Sequence, residues 1–223
     1  MEKSNTPELR FPGFEGEWVK FQIIDIADKI TDGTHDTPKP TAQGVPFLTA
    51  IHVKDGRIDF NNCYFLPKDV HQKIYTRCNP EKGDLLMVNI GAGVATSAMV
   101  NVEFEFSLKN VALIKPNKSK IDSGFFSQIQ RRNSARLRHQ ISAGGAQPFL
   151  SLKEIGKLKL IFPLEIPEQQ KIASFFTAID KKIELLKKKH SLLEQYKKGV
   201  MQKIFAQKIR FKDSDGNDYA AWE

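Results

Sequence analysis

Cysteine is scarce in this chain of 223 residues: Cys63 and Cys78 are its only two, and neither has a histidine at metal-ligand spacing. That excludes a disulfide framework and the Cys/His zinc patterns, and it predicts two reduced thiols, buried or half-buried, in a cytoplasmic protein. No apolar run approaches the ~20 residues needed to cross a bilayer. The opening MEKSNTPELR lacks the apolar stretch of a signal peptide, so the chain reads as soluble and intracellular, with no membrane partner.

Catalytic signatures are missing as well. The five histidines, His35, His52, His71, His139 and His190, form no HExxH pattern, and there is no GxxxxGK[ST] loop, GxSxG elbow or Asn/Asp-Pro-Pro-aromatic motif. Asn89-Ile90-Gly91-Ala92-Gly93 follows a strand pattern, but a single GxG reads more readily as a tight turn than as a cofactor cradle. Carboxylate pairs such as Asp55/Asp59 stand without a partner motif and read as exposed strand and turn charges. The expectation is a chain with no catalytic residues, no metal site and no cofactor of its own.

Proline is also absent between Glu168 and Ala206, and here the chain is rich in pattern. Ile172, Phe176, Ile179, Ile183, Leu186, Leu193, Val200 and Ile204 recur at alternating steps of four and three, with His190 and Lys197 at the two remaining seam positions. This is coiled-coil spacing. At about 1.5 Å per residue such a helix is roughly 60 Å long, against ~11–12 residues for an average globular helix. Leu185, Leu192 and Tyr196 widen the stripe enough for more than one neighbouring helix. Periodicity alone leaves open a helix folded back on its own domain.

Charge is distributed unevenly. Residues 1–114 carry net −3, residues 115–160 net +8 and residues 167–208 net +6, within a total of +8. Arg131, Arg132, Arg136 and Arg138 fall within eight residues of one another in the first basic block. Basic blocks beside a folded domain suit a phosphate backbone, and the planar guanidinium fits phosphates and guanine edges better than an ammonium does. The lysines of the helical block read as a solvated face.

Forty per cent apolar residues, sixteen of them Phe, are enough for a substantial core. The fold class expected is α+β: a mixed domain over residues 1–163, one long coiled-coil-forming helix over 164–208, and a short segment, 209–223. In the mixed domain, Val45–Val53 and Arg57–Leu66 read as strands joined by Lys54-Asp55-Gly56. Pro67–Arg77 reads as a helix, Gly83–Gly93 and Phe106–Asn117 as strands, and Ser123–Gln140 as an amphipathic helix carrying Phe125, Phe126, Ile129 and Leu137 on one side. Leu9-Arg10-Phe11 with Trp18 is echoed by Ile209-Arg210-Phe211 with Trp222. The last segment therefore reads as the opening of a second repeat.

These stretches resemble the DNA-specificity subunits of Type I restriction-modification systems. The likeness rests on ITDGTHDTPKP…GVPFLTA (30–50), GDLLMVNIGAGVATSAMV (83–100), FSLKNVALIKP (106–116), GGAQPFLSLKEIGKLKLIFP (144–163) and above all IPEQQKIASFFTAIDKKIELLKKK (166–189). The resemblance implies a target recognition domain that reads one half of a bipartite double-stranded DNA site, followed by a conserved helix that pairs with a second such helix. It also implies docking to methyltransferase subunits, with restriction subunits joining through the complex. S-adenosylmethionine, ATP and magnesium would then sit on those partners. The sequence departs from the family in holding one unit and the first residues of another, about half the usual length, which points to a homodimer paired through the eight seam residues. The alternative is an interaction protein that occupies methyltransferase subunits without binding DNA.

On this reading the candidate DNA contacts are Thr34, His35, Thr37 and Lys39 of the polar loop, the four arginines, and Gly144, Gly145, Ala146 and Gln147. The last four combine close backbone approach with an amide able to read adenine. Lys109 and Asn110 complete the set. His190 and Lys197 would either set the register and direction of the pair or simply face solvent.

Overall fold

Runs with no polar side chain dictate how the first part of this chain can fold. Neighbouring residues of a strand point to opposite faces, so a stretch such as Leu85–Val88 or Val111–Ile114 is stable only where both faces are covered. The computed structural model describes residues 6–91, 93–142 and 149–220, and it divides into two units, Met1–Phe175 and Phe176–Glu223.

The first unit opens with β1 (Val19–Gln22), one helical turn, α1 (Ile23–Ile26), and β2 (Ala27–Asp32). After β3 (Val45–Thr49) come the short pieces β4 (Val53–Lys54), β5 (Arg57–Ile58) and β6 (Tyr64–Leu66), then α2 (Lys68–Arg77). Next are β7 (Leu85–Val88), β8 (Ser97–Met99), β9 (Ser107–Lys109) and β10 (Val111–Pro116). The unit closes with α3 (Ser123–Ser142), α4 (Leu152–Gly156), β11 (Lys159–Phe162) and the start of α5 (Ile166–Phe205). The mixed α+β class expected from the sequence is the one observed.

The antiparallel sheet β2-β10-β7-β8 is the centre of the unit. Leu85, Met87, Ala112 and Ile114 face one side with Phe125, Phe126, Ile155 and Phe162, while Leu86, Val88, Val111 and Leu113 face the other with Leu48, Phe106 and Leu108. Both faces are covered, as the unbroken apolar runs require. α3 supplies Phe125, Phe126, Ile129 and Leu137 to the first side, the residues that its helical spacing marks out, and it extends two residues past Gln140.

The hairpin expected over residues 45–66 is broken in two. Its base is β3 against β6, with Val45 opposite Leu66 and a parallel partner, β9, on the other edge of β3; its tip is β4 against β5. Between them Ala50–His52 forms one tight helical turn. Buried His52 pins this break, because its Nδ1 accepts from the Thr49 amide at 2.9 Å and its Nε2 lies 3.1 Å from the Asn62 carbonyl. The tip can then lean onto β8, where the Gly56 amide donates to the Ser97 carbonyl at 2.9 Å.

Two polar residues at the start of α5 are buried, Glu168 at 1 % exposure and Gln169 at 0 %. The Arg10 guanidinium meets both Glu168 oxygens at 2.7 Å, a bidentate geometry, and also donates to the carbonyls of Gly16 and Glu15. Gln169 accepts from the Asp122 amide at 2.8 Å and donates to the Pro163 and Lys120 carbonyls. Phe11 adds an edge contact to Phe175. Both of these buried side chains, Glu168 and Gln169, thus have the partners that burial demands.

In the second unit α5 continues to Phe205, and Arg210 donates to the Tyr219 and Ala220 carbonyls. Arg10 and Arg210 share this grip on the carbonyls of the stretch that follows them; Trp222 lies outside the described residues. Phe176, Ile179, Ile183, Leu186 and Leu193 are 45, 39, 44, 56 and 55 % exposed, whereas Val200 and Ile204 are half-buried. At the head of the seam, Ile172 packs partly against the core of the first unit. Among the described residues, no helix is long and apolar enough to cross a membrane.

Two measurements test this packing. A Cβ added at Gly33 would lie 2.0 Å from the Leu108 carbonyl oxygen, so Gly33→Ala is expected to lower unfolding free energy by about 1–3 kcal/mol. An unchanged urea midpoint at an unchanged m value would contradict that approach. Burial pushes the Cys78 thiol up to about 12, so in the native chain iodoacetamide near pH ~8 should leave Cys78 unmodified while urea exposes it. Rapid native alkylation of Cys78, read by peptide mass spectrometry, would show otherwise.

Candidate nucleic-acid interface

The missing side chain at Gly33 lets β2 cross the backbone of β9, and this crossing assembles the first group of candidate residues. Beyond it Thr34 forms a parallel bridge with Lys109; the Thr34 amide donates to the Leu108 carbonyl at 2.9 Å and the Asn110 amide to the Thr34 carbonyl at 3.3 Å. Asn110 itself is left-handed, with φ of 53°, a conformation asparagine tolerates better than most residues. It makes the corner at which β9 passes into β10.

Residues distant in sequence are therefore neighbours. The exposed His35 ring spans Asn110 Oδ1, 3.0 Å from Nδ1, and Asp32 Oδ2, 2.9 Å from Nε2. The second Asp32 oxygen accepts from Arg77 Nη2 at 2.5 Å. Lys109 Nζ donates to Thr37 Oγ1, and Lys39 is exposed further along the same loop. An imidazole, an ammonium and several hydroxyl and amide groups thus share one surface, the inventory that hydrogen-bonds to base edges and phosphates.

The four clustered arginines separate into two pairs, because residues seven apart and residues four apart on α3 face different surroundings. Arg131 and Arg138 turn toward the β4–β5 tip. Arg131 Nε and Arg138 Nη2 each lie 3.9 Å from an Asp55 carboxylate oxygen, and Arg138 Nη1 is 3.4 Å from Thr96 Oγ1. Arg132 and Arg136 are exposed. They line a cleft of about 330 Å³ with Ile129, Asn133, Lys159 and Leu160, and Asn133 ties α3 to β11 by donating to the Lys159 carbonyl at 3.3 Å.

The two groups flank the central sheet. The loop cluster hangs from its β2 edge, while α3 lies against β8 at the opposite edge. Gly144, Gly145, Ala146 and Gln147 lie outside the described residues. Asp32, Arg77, Asp55 and Lys159 belong to these surroundings although sequence reasoning gave them no role. Asp32 and Arg77 meet across 45 residues, a separation at which no local spacing signals a contact.

The glycines after β7 have an unambiguous place. The Val88 amide donates to the Thr96 carbonyl and the Ala95 amide to the Val88 carbonyl, both at 2.8 Å, so this stretch turns β7 back into its antiparallel neighbour β8. A phosphate cradle of the dinucleotide type needs a helix N-terminus after the strand. Here a strand follows instead.

Comparison with known proteins places this arrangement. Residues 15–195 match the family model described as the Type I restriction modification DNA specificity domain. Two relatives from Methanocaldococcus jannaschii are each 25 % identical to the chain. They are the putative type I restriction enzyme MjaX specificity subunit, aligned over 86 % of this chain and 46 % of its own length, and the type I restriction enzyme MjaVIII specificity subunit, over 88 % and 47 %. Both are named as specificity subunits. The chain spans about half the length of the relatives it matches.

Solved structures agree on the fold. The S subunit of a Type I restriction-modification system from M. genitalium superposes with a TM-score of 0.60 at 17 % identity, covering 83 % of this chain and 45 % of that one. The S subunit from Thermoanaerobacter tengcongensis does so with a TM-score of 0.53 at 17 % identity, covering 86 % and 46 %. A model match over residues 15–195, most of the two-faced domain and much of α5, makes this chain a member of the Type I restriction-modification DNA specificity family.

Proposed function

We propose that this chain reads one half of a bipartite double-stranded DNA site and brings Type I methyltransferase subunits to it, with restriction subunits joining through that complex. The division of labour follows the sequence: residues 1–163 recognise DNA, residues 164–208 pair and dock, and residues 209–223 open a second repeat. Methyl transfer from S-adenosylmethionine and any ATP- and magnesium-dependent step belong to the partners, and this chain supplies no catalytic group.

The observation that carries the reading is the exposed Arg132–Arg136 pair beside Lys159, in a chain of the DNA-specificity family. Three cations around one cleft favour a run of phosphates, which position a protein on the duplex. Thr34, His35, Thr37, Lys39, Lys109 and Asn110, together with Gly144, Gly145 and Gln147, are the proposed base-reading and backbone-approach residues. Arg131 and Arg138 stand next to them in sequence but are already engaged with Asp55.

Pairing is supported by α5. From Phe176 to Leu193 its seam leaves five large apolar side chains between 39 and 56 % exposed, and exposed apolar surface is unfavourable by about 25 cal/mol per Å². Two copies packed antiparallel through Ile172, Phe176, Ile179, Ile183, Leu186, Leu193, Val200 and Ile204 would cover it. Identical readers related by a twofold axis require identical half-sites in inverted order.

Three outcomes are expected. Arg132→Gln with Arg136→Gln makes the dependence of log affinity on log salt shallower by about 1.8; a slope equal to that of the parent would remove both residues from the phosphate contacts. Sedimentation gives a dimer that Ile183→Lys dissociates, and a stable monomer at micromolar concentration would rule the pairing out. In cells that express this chain with a Type I methyltransferase, methylation mapping returns an interrupted inverted repeat. An asymmetric motif would contradict a pair of identical readers.

A further inference from the structure

Asp55 reads from sequence as one more exposed charge, yet its position is fixed from three directions. The Gly56 amide holds the tip on β8 through the Ser97 carbonyl, at 2.9 Å. Gly56 adopts φ of +77°, and a Cβ there would lie 2.8 Å from the Arg131 guanidinium, so the tip rests directly on that side chain. Asp55 in turn places one carboxylate oxygen 3.9 Å from Arg131 Nε and the other 3.9 Å from Arg138 Nη2. A single carboxylate bridges two arginines seven residues apart on α3.

A phosphate would present the same partners, two oxygens of one anion to two guanidinium groups. We propose that Asp55 restrains sequence-independent binding: it is an internal substitute for a DNA phosphate that keeps Arg131 and Arg138 from making phosphate contacts. This inference rests on the DNA-binding function proposed above and concerns how strongly that surface holds DNA of arbitrary sequence. Phosphate contacts give affinity without sequence information. An arginine pair occupied within the protein lowers affinity for every duplex, so a larger share of binding must come from contacts to base edges. Specificity is a difference of affinities, which a term common to every duplex leaves unchanged. What Asp55 lowers is the absolute affinity for arbitrary sequence, so that base contacts are needed before the protein stays bound.

The test uses the full chain and a duplex of about 30 base pairs of arbitrary sequence, titrated between about 50 and 200 mM salt. Asp55→Asn keeps the shape of the tip and removes its charge. It is expected to steepen the log–log salt slope by about 1–2 and to raise affinity at the lowest salt by roughly tenfold, as one or two further phosphate contacts would. Adding Arg138→Gln to Asp55→Asn should return part of that slope. Glu17→Gln makes the same change in net charge at an exposed residue and should leave the slope at its parental value. Parental binding with an unchanged slope in Asp55→Asn, or an equal steepening in Glu17→Gln, would overturn the inference while leaving DNA binding intact. Absence of binding by the parent and the Asp55 variant alike would overturn the proposed function, and this inference with it.

Discussion

Burial of β10 and β7 on both faces is the constraint on which the rest of the first unit depends. Val111–Ile114 and Leu85–Val88 send alternate side chains into two separate apolar clusters, so a shift of register by one residue would exchange the contents of both. With its centre fixed, the sheet can carry chemistry only at its margins. One margin, at β2, holds the His35–Lys109–Asn110 group. The other, at β8, carries α3 and the arginines.

A second constraint acts where α5 begins. Burying a carboxylate is costly unless it is paired and hydrogen-bonded, and Glu168 meets that condition through Arg10, more than 150 residues away in sequence. Gln169 beside it uses its amide on three backbone groups. The PEQQ run thus has a mechanical explanation: it fastens the first turns of the long helix to the lead-in segment and to the approach to α3. The exposed seam residues begin only after this anchored stretch.

Much of this architecture is legible in the sequence. The long helix, the amphipathic α3 and the apolar strands each follow from local periodicity, and the family from motifs spread along the chain. What the sequence conceals is what depends on distant contacts. The 45–66 hairpin looks continuous because nothing local shows that β3 takes β9 as a parallel partner while the tip leans onto β8. Four arginines within eight residues look like one basic patch, but the turn of the helix gives two of them to Asp55 and two to the surface. The grouping of Thr34 with Lys109 rests on the absence of a side chain at Gly33, a role visible only once the second backbone is in place.

The corner at Asn110 has a consequence for how such a protein can diversify. One left-handed residue lets the chain leave the three-stranded sheet and enter the central one within a single step, so Lys109 and Asn110 are held by backbone geometry, independently of what surrounds them. The loop across from them spans residues 35–43 and contributes little to either apolar cluster. New side chains there would meet the same rigid platform at the same angle. Substitutions in that loop can therefore change the side chains shown on this surface while the platform that presents them stays as it is.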